Sequence, residues 1–207
     1  MDNFILNAHQ SGFQKGKSTI TQLIEVYHQF CQAVDTNKEM RIVFLDISKA
    51  FDKVWHIGLL YKLKKCGIGG GLLLWLKDYL SDRKQRVVIN GQSSGWREIR
   101  AGVPQGSVLG LLLFLVFIND ITQNISHCNV RLFADDTCIF IEVEDRNQAA
   151  DMISEDLAHI SDWSKLWKVN FSLAKTKSLI ISNKKDKNMN PPISFDGHIV
   201  DEVKSHI

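Results

Sequence analysis

Val130-Arg-Leu-Phe-Ala-Asp-Asp-Thr-Cys-Ile-Phe-Ile141 decides how this chain is read. Two runs of β-forming residues, 130–133 and 137–141, flank Ala134-Asp135-Asp136, and that spacing predicts a tight hairpin. Neighbouring residues on a regular strand point to opposite faces, so Asp135 and Asp136 can serve one site only at a turn. Downstream, residues 146–168 place Ala149, Met152, Ile153, Leu157, Ile160, Trp163 and Trp167 on one side of a long amphipathic helix. A short strand over 178–182 and a charged connector over 184–192 follow.

Upstream, an apolar helix is expected over residues 107–121, preceded by the loop Ala101-Gly-Val-Pro-Gln-Gly106. Its 11-residue apolar run, 108–118, falls short of the roughly 20 needed to cross a bilayer. Before it, Asn90-Gly91 marks a hairpin turn within residues 86–92. Two short helices are expected over 58–65 and 72–80, on either side of a glycine-rich stretch. Residues 41–47 form a buried strand ending near Asp46, and residues 18–34 form an amphipathic helix with Ser18 as N-cap. Strands and helices alternate but a hairpin interrupts them, which predicts an α+β fold, helices packed on one face of an antiparallel sheet.

Composition narrows the class without naming it. The chain of 207 residues is 44% apolar and 23% charged, enough to bury a core and unlike a disordered or disulfide-rich chain. Its four cysteines include no CxxC pair, so reduced thiols and an intracellular location are expected, with no signal peptide or membrane span. The net charge of +2 conceals an asymmetry. Residues 41–100 carry 12 Lys/Arg against 5 Asp/Glu, whereas residues 101–162 carry 2 against 10. A basic segment beside an acidic one suits an anionic partner and a metal site in one molecule.

Asp46 and the Asp135-Asp136 pair put carboxylates at the ends of apolar strands, a costly place for them. Three carboxylates about 4 Å apart would repel by roughly 4 kcal/mol per pair at an effective dielectric near 20. A divalent cation offsets that cost, and hard oxygen ligands with open positions suit Mg²⁺. A rival P-loop reading of Gly12-Phe-Gln-Lys-Gly-Lys-Ser18 fails, because only three residues separate the glycines and no strand precedes them.

Five blocks occur in a telling order: His9-Gln-Ser-Gly-Phe-Gln-Lys-Gly-Lys-Ser-Thr19, Phe44-Leu-Asp-Ile-Ser-Lys-Ala-Phe-Asp-Lys-Val54, Ala101-Gly-Val-Pro-Gln-Gly-Ser-Val-Leu-Gly110, Phe133-Ala-Asp-Asp136 and Phe171-Ser-Leu-Ala-Lys-Thr176. Together they resemble the reverse transcriptase domain of non-LTR, jockey-like retrotransposons, from about residue 9 to 183. The resemblance implies a polymerase palm with part of the fingers: about 1–40 and 57–100 on the fingers side, about 41–56 and 101–207 in the palm, and no thumb. It implies RNA-directed DNA synthesis from dNTPs on an RNA template and a DNA primer. Two Mg²⁺ ions, or Mn²⁺, would be held by Asp46, Asp135 and Asp136. Phe51 would pack under the sugar and select deoxynucleotides, while Gln105 and Gly106 would face nucleotide and template. Lys175 would protonate the leaving pyrophosphate. Leu111 departs from the family pattern, which has proline there. The chain is expected to be a fragment or a decayed copy of such an element, and the alternative function is that of a truncated, catalytically inert nucleic-acid-binding remnant.

Overall fold

The computed structural model describes residues 6–183 and 190–203; the expected connector lies partly outside them. The chain divides into two compact units, residues 49–118 and residues 6–48 with 119 onward.

The second of these units opens with α1 (Thr19–Asp35). Ser18 caps it as expected: its Oγ accepts from the Thr21 amide at 3.1 Å, and Thr21 Oγ1 accepts from the Ser18 amide at 2.9 Å. β1 (Glu39–Leu45) follows, buried along nearly its whole length. In residues 49–118, a short 3-10 turn (Phe51–Lys53) leads to α2 (His56–Lys65) and α3 (Gly70–Leu80). A two-part hairpin arm comes next, made of β2 (Arg83–Gln85), β3 (Val88–Ile89), β4 (Gln92–Ser93) and β5 (Arg97–Ile99). β2 pairs with β5 and β3 with β4. Asn90 and Gly91 both take positive φ, +50° and +77°, which closes the tip in the expected turn. α4 (Val108–Ile118) ends this unit; it coincides with the apolar run and is shorter at both ends than the expected 107–121.

The sheet-bearing unit resumes with β6 (Asn129–Phe133), β7 (Asp136–Val143), α5 (Arg146–Trp167) and β8 (Lys177–Ile181). Three two-residue strands then appear that periodicity did not show: β9 (Ser194–Phe195), β10 (His198–Ile199) and β11 (Asp201–Glu202). The main sheet runs β11-β8-β1-β7-β6. It is antiparallel as expected, save that β11 pairs parallel with β8.

Register fixes the faces of this sheet. Ile42 pairs with Phe140 on one side and Leu179 on the other, so Met40, Ile42, Phe140, Leu179 and Ile181 line one face, where Ala33 and Phe30 of α1 pack on them. The opposite row, Val43, Leu45, Ile139 and Val143, is closed to solvent, and α5 packs along β7. Asp156 of α5 is fully buried, and its carboxylate accepts from the amides of Ser126, His127 and Cys128 at 2.8–3.1 Å. The loop before β6 is thereby tied down by an anion whose acceptor sites are filled. All four cysteines are free.

Candidate active site

The face that α1 covers at the Met40 end opens at the other. Met40 is 4% exposed and Ile42 0%, whereas Phe44, next along the same row, is 43% exposed. Asp46 continues that row. The last registered pair, Leu45 with Thr137, brings Asp46 opposite Asp136, the first residue of β7. Residues directly across an antiparallel pair share a face, so both carboxylates lie at one open sheet end. Asp135 is the second residue of the two-residue turn joining β6 to β7, where strand alternation no longer holds.

Electrostatics show the crowding. The Asp136 carboxyl titrates above the usual carboxylate range, through its burial first, then through the negative charges of Asp135 and Asp46. Lys175 supplies the counter-charge: its Nζ lies 3.4 and 3.5 Å from the two Asp46 oxygens. The Asp46 carbonyl accepts from the Ser172 amide at 2.8 Å, and the Ser48 amide donates to Asn170 at 2.8 Å. These bonds stitch the segment after Asp46 to the turn that carries Lys175. Asp46, Asp135, Asp136 and Lys175, four sites chosen from sequence, thus converge.

Among the described residues, no three His, Cys, Asp or Glu side chains are gathered closely enough to form a ready-made metal cage. The donor set is nevertheless oxygen-only, anionic and partly open, the chemistry that suits a hard divalent cation.

The turn itself is held from outside the hairpin, by residues for which the sequence reading had no role. Ala134 takes φ +55°, a left-handed conformation unfavourable for a residue with a Cβ. The buried side chain of Gln10 brackets it: Oε1 accepts from the Ala134 amide at 2.9 Å and Nε2 donates to its carbonyl at 3.2 Å. The same Oε1 accepts from the Gly12 amide at 2.7 Å. Gly12 lies so close to the turn that a Cβ there would overlap the Ala134 backbone. Gln10 and Gly12 stand in the first quoted block, but a contact reaching across more than 120 residues leaves no local pattern.

Phe51, Gln105 and Gly106 belong to the unit of residues 49–118. Phe51 stacks on Phe114 of α4 with ring centroids 4.3 Å apart. Backbone bonds join its turn to the glutamine loop: the Val103 amide donates to Phe51 and the Gly102 amide to Val54, each at 2.8 Å. His56 Nε2 lies 2.7 Å from the Gly102 carbonyl, another role absent from the sequence reading. Gln105 is exposed at the loop's tip. Leu111 donates its amide to Ser107 at 3.3 Å, the first α-helical bond of α4, which a proline could not make.

An antiparallel sheet with a two-aspartate hairpin beside a strand-end aspartate defines the palm class of nucleotide-polymerising folds, and solved structures agree. Telomerase from Candida tropicalis, truncated from its C-terminal domain, superposes with a TM-score of 0.61 over 88% of this chain and 38% of its own. Identity there is 11%, so that likeness shows the fold alone. The model for "Reverse transcriptase (RNA-dependent DNA polymerase)" matches residues 3–200, and the chain belongs to that family. Curated relatives from Drosophila melanogaster include the probable RNA-directed DNA polymerase from transposon BS, 36% identical over 96% of this chain and 22% of its own length. The RNA-directed DNA polymerase from mobile element jockey is 33% identical over 92% of this chain and 21% of its own. The jockey-like, non-LTR resemblance is borne out, and the chain spans about a fifth of these relatives' length. No helix among the described residues is long and apolar enough to cross a membrane.

Proposed function

We propose that this chain carries the catalytic palm and part of the fingers of an RNA-directed DNA polymerase, transferring nucleotides from dNTPs to a primer 3′-hydroxyl on an RNA template. The observation that carries this reading is that Asp46 and Asp136 lie across from each other at one open sheet end with Asp135 beside them, Asp136 being raised by its burial first and then by those two charges. Asp46 and Asp135 would hold Mg²⁺, or Mn²⁺, with Asp136 completing the anionic site. Two such ions, when bound, lower the cost of charge on the attacking hydroxyl and the leaving pyrophosphate.

Because phosphoryl transfer rests mainly on positioning and charge neutralisation, side chains that fix and balance charge can do most of the protein's part. Lys175 neutralises Asp46 in this structure, and an ammonium there can donate a proton to departing pyrophosphate. Phe51, stacked on Phe114, would pack under the sugar and reject a 2′-hydroxyl. Gln105 and Gly106 sit on a loop where backbone can approach nucleotide and template. The basic residues of the hairpin arm, among them Arg83, Lys84 and Arg86, suit sequence-independent contacts with nucleic-acid phosphates.

A primer-extension assay on an RNA template with Mg²⁺ or Mn²⁺, run beside Asp135→Asn, tests the reading. Extension by the wild-type chain and its loss in the variant are expected. Equal incorporation by both would refute the catalytic assignment, and template binding with no extension by either would favour the inert remnant.

A further inference from the structure

We propose that Gln10 is a positioning residue whose side-chain amide holds the turn bearing Asp135 in its working conformation; this rests on reading Asp135 as a cation ligand. Two-residue hairpin tips that need positive φ ordinarily use Gly, Asn or Asp, which tolerate it. Here the position holds Ala134 at φ +55°, and its side chain offers no hydrogen bond to stabilise the bend. Gln10 supplies what the turn lacks by engaging both polar groups of the Ala134 backbone.

The amide's orientation is set by its partners. Oε1 faces two N–H donors, from Gly12 and Ala134, while Nε2 faces a carbonyl, so a flipped amide would oppose donor to donor. Gln10 is only 2% exposed, and water cannot readily replace it. The segment around it is docked on β6 by its own backbone: Ser11 donates to Leu132 at 2.8 Å, and Leu132 donates to His9 at 2.9 Å. Gly12 completes the fit, since any side chain there would push the segment off Ala134. The chain therefore fixes the residue preceding Asp135 on both its polar groups, which sets the direction of the Asp135 side chain.

The test measures Mn²⁺ affinity and amide hydrogen exchange in the full chain as wild type, Gln10→Met, Gly12→Ala and Asp135→Asn. Methionine keeps the unbranched, buried shape and removes all three bonds. Gln10→Met is expected to weaken Mn²⁺ binding about tenfold, the lower end for partners that orient ligands. Exchange at Ala134 should rise at least about tenfold while Ile42 and Ile139 keep their protection, because the amide loses its acceptor but the strands stay paired. Gly12→Ala should shift both readouts in the same direction. Unchanged Mn²⁺ affinity or unchanged Ala134 exchange in Gln10→Met would overturn the proposal. A Gln10→Met chain that fails to fold, or loses protection throughout the sheet, would overturn it too, since Gln10 would then support the sheet as a whole. Asp135→Asn with wild-type Mn²⁺ affinity would refute the cation site itself, and Ala134 exchange would still decide whether Gln10 holds the turn.

Discussion

The two ends of the β1-β7 pair carry similar residues and opposite arrangements. At the Glu39 end, the carboxylates are paired with cations. Glu39 is 2% exposed, and its carboxylate takes a two-pronged contact from Arg146 at 2.7 and 2.8 Å and a hydroxyl from Ser182 at 2.6 Å. Lys38 pairs with Glu142 and lies 3.4 Å from Glu144. At the Asp46 end, among the described residues, Asp46 pairs with Lys175 while Asp136 sits near the like charges of Asp46 and Asp135. A buried ion with filled acceptor sites holds a fold together, whereas a half-open cluster of like charges works against it. The difference separates a structural end from a site that invites a cation.

The largest expected effect breaks this comparison at the active end. In primer extension, Asp46→Asn should lower incorporation by about a thousandfold, whereas Glu142→Gln at the far end should stay within about twofold. A comparable loss in both variants would mean that acidity, not position, matters.

Next in size is a stability effect at the Glu39 end. Arg146→Leu removes the two-pronged guanidinium contact from the buried Glu39 carboxylate and should cost about 3 kcal/mol in urea unfolding. An effect below about 1 kcal/mol would show that the Glu39 end is no more structural than the other.

The smallest effect has the opposite sign. Asp136→Asn removes one of the crowded charges and should stabilise the metal-free chain by about 0.5 kcal/mol, the scale of solvent-screened pairs. Added Mg²⁺ should reverse the order, because a ligand stabilises only the fold that binds it. Destabilisation by Asp136→Asn without metal would place that carboxylate among the structural ones.

Much of this contrast is legible in the sequence, and what escapes it does so for physical reasons. Asp46 and Asp135-Asp136 stand out because a carboxylate at the end of an apolar strand is costly and visible from its neighbours. Ser18 and Asn90-Gly91 are equally legible, since caps and turns are short-range chemistry. Lys175 comes from motif resemblance, and only the structure supplies its contact with Asp46. Gln10 escapes because its amide serves a turn far along the chain. β11 escapes because a two-residue strand has no period, and its parallel pairing depends on where the chain returns to β8. The ends of α4 escape because Ser107, Asn119 and Asp120, just outside it, are polar residues that suit a helix end and a turn equally well.

The most direct test of the central claim is where Mn²⁺ binds. β1 is seven residues long, so its two ends lie about 20 Å apart, far enough for paramagnetic broadening to tell them apart. In a titration of the isotopically labelled chain followed by amide NMR, broadening should begin at Asp46, Asp135 and Asp136 and spare Glu39 and Val143. Broadening centred on Glu142, Glu144 and Asp145, or spread evenly over the acidic surface, would contradict the account.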